Sequence, residues 1–260
     1  MKTFTELQEG VYDPNILKAF FLAGGPGSGK SYVVKRTTGG LGMKIVNSDV
    51  QFEKKLKDAG LSTDLRELDP TTRDAIRARA KEITKKQQAN YIEGRLGLII
   101  DGTGKDYDKI AKQATQLKQL GYDVHMIFVN TSLDTALERN ATRDRKLPDS
   151  IVTKSWNDVQ KNLGKFSQLF RRNFIVVDNN DAGEDVFTAV FKQVKQLAKA
   201  KVQNPFGKKW IENELAMKRD SGGSGTLGTG RGGGKQQRVD PKRLKDIKKG
   251  GFSRFARRTG

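Results

Sequence analysis

The clearest chemistry in the chain lies in eight consecutive residues, Gly24, Gly25, Pro26, Gly27, Ser28, Gly29, Lys30 and Ser31. They follow the apolar run Ala19 to Ala23 and spell G-x-x-x-x-G-K-S. This is the phosphate-cradling P-loop pattern in the context it requires, a strand before and a helix after. Glycines let backbone N–H groups converge on phosphate oxygens where a Cβ would block the approach. The helix that follows offers its N-terminal amides and dipole to the same anion. Lys30 suits the β- and γ-phosphates, and the Ser31 hydroxyl suits Mg²⁺. A flexible glycine turn that happens to precede a lysine is the competing reading, and it leaves the preceding strand unexplained. The residues imply binding of a nucleoside triphosphate with Mg²⁺.

Transfer of a phosphoryl group to a hydroxyl further needs a base to orient the acceptor and cations for the migrating charge. Asp49 is the candidate base, because it follows a strand adjacent in sequence order to the P-loop strand. It also suits a helix cap, and the two roles are compatible. Asp101 closes an apolar run, where it could act on Mg²⁺ through water or accept from a substrate hydroxyl. Its bland reading is a turn aspartate before Gly102. Thr103 is a candidate contact to substrate or phosphate. Arg139 and Arg143 are four residues apart and so project from one helix face. Guanidinium forks match phosphate oxygens, although basic residues are favoured at any helix C-terminus.

The hydrophobic pattern predicts the elements that must position these groups. Strands are expected at 17–23, 43–46, 96–100, 122–129 and 174–177. Helices are expected at 29–37, 50–59, 70–94, 106–120, 132–141, 150–170 and 184–202. Ser48 or Asp49 suits the cap of the second helix, and Asp69-Pro70 suits the start of the third. Strands alternating with helices and lacking hairpin turns predict an α/β, P-loop NTPase-like parallel sheet of about five strands, helices on both faces. Ligands of such sheets sit beyond the carboxyl ends of the strands. The P-loop, Asn47-Ser48-Asp49 and Asp101-Gly102-Thr103 all follow strand ends and can line one crevice.

Residues 1–202 are therefore expected to form the phosphate-binding domain. A short amphipathic helix at 203–220, with Trp210, Ile211 and Leu215 on its apolar side, should follow. Residues 221–234 read as a Gly-rich linker, and 235–260 as a basic tail carrying Phe252 and Phe255.

Composition narrows the function further. There is no cysteine, which excludes disulfides, thiolate metal sites and a cysteine nucleophile. The one histidine, His125, sits inside an apolar run and reads as structural, since one His cannot build a metal site. No apolar run is long enough for a membrane span. The first residues lack an apolar signal core, so a cytoplasmic setting is expected. Net charge is +19, with 33 Lys/Arg against 25 Asp/Glu in residues 1–200 and 16 against 5 in residues 201–260. The excess is concentrated in the tail, and it points to polyanionic partners.

With these residues in view, Arg139-Asn140-x-x-Arg143-x-x-Lys146-x-Pro148 resembles the lid of phage-type polynucleotide 5′-hydroxyl kinases. Asn47-x-Asp49 is similar to their acceptor-activating loop. The stretch Ile99 to Gly104, followed by a helix and Leu120-Gly121-Tyr122, resembles instead the zeta-toxin kinases, which phosphorylate a UDP-amino sugar. Both belong to one P-loop kinase superfamily, and the similarity spans about residues 17–200. The resemblance implies Asp49 as base, Lys30 and Ser31 at ATP and Mg²⁺, Arg139 and Arg143 as lid arginines, and, for the phage type, a host-cytoplasm setting. The polynucleotide kinases carry an Arg shortly after the catalytic Asp that holds the substrate phosphate. Here Val50, Gln51, Phe52 and Glu53 stand there. The zeta family has Glu at the position of Asp101.

Two classes of function follow. One is an ATP-dependent kinase of a hydroxyl on an anionic acceptor, a polynucleotide 5′-hydroxyl first and a nucleotide sugar second. The other is a non-catalytic assembly protein acting through its tail, which would have no need of the full set Lys30, Ser31, Asp49, Arg139 and Arg143. The tail could grip nucleic acid or another polyanion, or serve as a disordered solubilising segment or a docking peptide.

Overall fold

A run of six apolar and aliphatic-stemmed residues, KAFFLA, forms the central strand β1, Lys18–Ala23, buried along its whole length. Such continuous burial is what a parallel sheet covered on both faces demands. The computed structural model describes residues 11–62, 68–142 and 146–222. Strands β2 (Lys44–Val46), β3 (Leu98–Asp101), β4 (Asp123–Asn130) and β5 (Phe174–Asp178) complete the sheet. Its order is β2-β3-β1-β4-β5, and all four pairings are parallel.

Period-two alternation divides the core. Ala19, Phe21 and Ala23 point to one face, where they meet Ala114 and Leu117 of α4 (Tyr107–Gln119) and Val159, Phe166 and Phe170 of α6 (Asp149–Phe170). Phe20 and Leu22 point to the other, towards Val33 and Val34 of α1 (Lys30–Thr38) and Phe187, Val190 and Val194 of α7 (Glu184–Lys199). Helices α2 (Ser48–Asp58) and α3 (Pro70–Glu93) form a lateral pair over a small core of Phe52, Leu56 and Ala80. Helix α5, Leu133–Ala141, follows β4.

The final helix α8, Pro205–Gly222, lays Trp210 and Ile211 against the α4/α6 side of the core. Its connection is clamped at the amino ends of the strands. Asp123 forms a 2.7 Å ion pair with Lys18, whose side chain is buried. The same carboxylate accepts from the amides of Gln203 and Asn204, each at 2.8 Å. Backbones cross closely here, since a Cβ on Gly207 would lie 2.3 Å from the Gly121 carbonyl oxygen.

The expected strands and helices are all present with ends shifted by a few residues, α8 running through Gly222 into the stretch expected as linker, and two departures have a visible cause. The cap of α2 is Asn47 rather than Ser48 or Asp49. The Asn47 side chain accepts from the amides of Asp49 and Val50, which leaves the Asp49 carboxylate out of the capping bond. Helix α7 stops at Lys199 instead of reaching 202, because Ala200 turns extended (φ −64°, ψ 148°) to enter the clamped connection. Linker and tail beyond Gly222 lie outside the described residues. Among the described residues no helix is long and apolar enough to cross a membrane.

Candidate active site

The P-loop turns at the carboxyl end of β1, and three of its four glycines, Gly24, Gly27 and Gly29, are held by contacts that only glycine permits. Gly27 has φ +78°, and a Cβ there would lie 2.2 Å from the Ala136 carbonyl oxygen of α5. Gly29, with φ +78°, would place a Cβ 2.4 Å from Asn179 Nδ2. Gly24 donates its amide to the Thr103 carbonyl at 3.0 Å, which stitches the loop after β3 to the P-loop. Trp156 of α6 packs against Gly25 and donates its indole N–H to the Thr131 carbonyl at 2.8 Å.

Helix α1 begins at Lys30 with no side-chain cap, and the Tyr32 and Val33 amides bond back to the Gly29 carbonyl at 3.0 Å, so the positive end of the helix opens onto the loop. The Ser28 hydroxyl is buried there and has no hydrogen-bond partner among the described residues. A hollow bordered by glycines, helix-end amides and an unpaired hydroxyl fits phosphate oxygens. Lys30 Nζ folds back onto the carbonyls of Gly24 (2.7 Å) and Gly25 (3.5 Å).

One asparagine organises the acidic side of the crevice. Asn47 caps α2 through Oδ1 and donates Nδ2 to Asp101 Oδ2 at 2.6 Å. The ends of β2 and β3 are thereby joined, with Asp49 in the first turn of α2 beside them. Burial pushes the Asp101 carboxyl above the ordinary carboxylate range, the Lys30 ammonium pulls it back, and Asp49 adds to the rise. Lys30, Asp101 and Asp49 therefore share one electrostatic site. Asp49 itself is exposed, with Arg77 Nη1 of α3 at 3.9 Å from its Oδ1.

Among the described residues no cluster of three or more His, Asp or Glu could hold a metal alone. Mg²⁺ does not require one. It keeps several waters and takes one or two protein oxygens together with substrate phosphates, and Ser31 and Asp101 could supply those.

The lid arginines divide. Arg139 donates Nη1 to the Asn179 carbonyl (2.7 Å) and Nη2 to the Asn180 carbonyl (2.8 Å). It sits beside Gly29, within 3.7 Å of where a Cβ would stand, as part of the crevice wall. Arg143 lies outside the described residues. Thr103 enters the site through its backbone carbonyl.

Sequence reasoning passed over Asn47 as the bridge, Asn179 as the buttress under the P-loop, and Arg77 beside Asp49. Asn179 and Asn180 follow the carboxyl end of β5, the same signal that marked the other three loops. No signal marked Arg77, whose partner is set by how α3 packs on α2. Two cavities, of about 530 and 460 Å³, open at the other end of the molecule around Lys18, His125 and the α7–α8 connection. They are remote from this chemistry.

A parallel sheet of this order with a P-loop on its central strand, and Asp101 at the end of the neighbouring strand, defines a P-loop kinase. Residues 7–189 match the model of the Zeta toxin family, and the chain belongs to that family. No match was found among curated protein sequences. Similar solved structures include the AvrRxo1-ORF1:AvrRxo1-ORF2 complex with sulphate ions, at 14% identity over 78% of this chain and 74% of that one, TM-score 0.49. The Pnkp1/Rnl/Hen1 RNA repair complex is similar at 18% identity over 63% of this chain and 49% of that one, TM-score 0.46. A gluconokinase from Sinorhizobium meliloti 1021 is similar at 12% identity over 78% of this chain and 98% of that one, TM-score 0.43. None of these likenesses bears on what this chain acts on.

Proposed function

We propose that the protein transfers the γ-phosphate of Mg·ATP to a hydroxyl of an anionic acceptor. The observation that carries this reading is the Asn47 bridge to Asp101, which ties the end of β3 to the first turn of α2 with Asp49, while the Gly24 amide ties the loop after β3 to the P-loop. In it, the first-turn amides of α1 and the glycines of the loop cradle the phosphates. Lys30 leaves the Gly24 and Gly25 carbonyls to reach them. Ser31 and Asp101 would hold Mg²⁺, which would supply charge neutralisation at the transferred group. Asp49, at the exposed end of α2, orients the acceptor hydroxyl and takes its proton. Arg139 fixes the wall beside Gly29, and Arg143 supplies a cation from the lid.

Sequence alone puts a polynucleotide 5′-hydroxyl first among acceptors. Membership of the Zeta toxin family lends support to the second acceptor, the UDP-amino sugar that the resemblance implies. The polynucleotide reading keeps its own support in the charge of residues 201–260, 16 Lys/Arg against 5 Asp/Glu. Offering both acceptors in parallel, with labelled Mg·ATP and Lys30→Ala as blank, tests the proposal. Label on either acceptor upholds the phosphotransferase reading and names the branch. ATP binding without transfer to these or any wider set of hydroxyl acceptors would leave the assembly-protein reading.

A further inference from the structure

The four residues after Asp49 supply no cation, yet the structure sets one beside it from elsewhere. Arg77, in the second turn of α3, holds its guanidinium 4.6 Å over the ring of Phe52 and 3.9 Å from Asp49 Oδ1. Phe52 is 1% exposed and belongs to the α2/α3 core, so the platform under the guanidinium is rigid. Helix α2 and helix α3 are further tied by Gln51 Nε2 donating to Gln87 Oε1 at 3.2 Å.

The bland account is a surface ion pair that steadies the helix pair. It explains little, because 3.9 Å is beyond hydrogen-bond reach and pairs between half-exposed groups contribute almost nothing to stability. Arg73, one turn earlier on the same face, is engaged instead by Asp74 at 3.0 Å. Arg77 thus presents a pre-oriented planar fork, stacked on an aromatic ring, next to the group that would receive the acceptor hydroxyl. Guanidinium in that setting is suited to bidentate capture of a phosphate.

We infer that Arg77 is an acceptor-binding residue that grips a phosphate carried by the acceptor close to its reacting hydroxyl. The inference rests on the reading of Asp49 as the acceptor base. It deepens that reading by assigning the residue that holds the phosphate of the acceptor. The phosphate takes over the Arg77 fork from Asp49 and leaves the carboxylate to the hydroxyl.

The test uses the full chain saturated with Mg²⁺ and a non-hydrolysable ATP analogue, so that the P-loop is filled. Calorimetry then compares thymidine 3′-phosphate with thymidine, and UDP with uridine. The phosphate-bearing member of at least one pair should bind roughly 10- to 100-fold tighter than its partner. Arg77→Gln should erase that preference, with the affinity for the ATP analogue unchanged, and Arg77→Lys should restore part of it. Equal affinities within both pairs, or a preference that survives Arg77→Gln, would overturn the assignment. Asp49→Asn separates this from the reading beneath it. The phosphate preference should persist in that variant while transfer fails. Transfer retained by Asp49→Asn would reject the base and leave the Arg77 site standing.

Discussion

Asn179 Nδ2 donates a 2.8 Å hydrogen bond to the carbonyl of Ser28, 151 residues earlier in the chain. The Asn179 amide is itself held by the Asn130 carbonyl at 2.8 Å, and its own carbonyl accepts from Arg139. The floor of the P-loop is therefore buttressed by the end of the last strand. Asn179→Ala leaves a buried carbonyl unpaired, at a cost of about 1–3 kcal/mol. Nucleotide titration and thermal melts should show weaker ATP binding with a lowered melting temperature. Unchanged ATP affinity would mean that the loop holds its shape alone.

Two glycines with nearly the same backbone conformation should answer differently to alanine. Gly27 (φ +78°) would drive its Cβ against Ala136, whereas Gly40 (φ +75°) has nothing within 4 Å. Gly40→Ala should show only the conformational cost of about 1–2 kcal/mol, and ATP affinity should stay constant. Gly27→Ala should lose more stability and also displace the loop, so ATP affinity falls at least tenfold, on the order of 1.4 kcal/mol. Parallel melts and nucleotide titrations check both.

At the far end of the sheet, Asp123→Ala strands the buried ammonium of Lys18, whose side chain is 3% exposed. Breaking one side of such a pair costs roughly 3–5 kcal/mol. It also releases the Gln203 and Asn204 amides, so hydrogen exchange along 205–219 should accelerate beyond that of the sheet. A uniform change across the chain would contradict the clamp.

His125 bears out its structural reading: it is 4% exposed, stacks on Phe20 at 4.8 Å, and neither ring nitrogen has a partner among the described residues. Burial, then the nearby Lys18, pulls its pKa down to about 4, against a smaller rise from Asp123. The unfolded chain thus binds a proton more readily than the folded one. Stability should be whole above pH 6.5 and fall as the pH drops towards 4, by on the order of 3 kcal/mol. His125→Phe should flatten that interval of the pH–stability curve. An unaltered slope would assign the acid sensitivity to other groups.

The sheet was legible because its signals are local. The KAFFLA run, the Gly24 to Ser31 pattern and the acid-ended strands each declare themselves within a few residues, and they are the parts least open to reshaping by packing. What the sequence left hidden is relational. Asn47 looks like any residue ahead of a helix until its amide meets Asp101, 54 positions away. Arg139 is a lid cation by resemblance, but its guanidinium is taken up by two carbonyls 40 and 41 residues later. Arg77 sits in a dense charged stretch of α3, and only the packing of α3 on Phe52 distinguishes it from its neighbours.

The central claim is that Asp49 activates an acceptor hydroxyl opposite a P-loop that holds ATP. The most direct measurement is single-turnover transfer of labelled γ-phosphate by wild type and Asp49→Asn, with ATP affinity measured on the same preparations. The account predicts transfer reduced by about 10²–10⁴-fold in the variant, with ATP bound as tightly as before. Transfer at near wild-type rate by Asp49→Asn would contradict it.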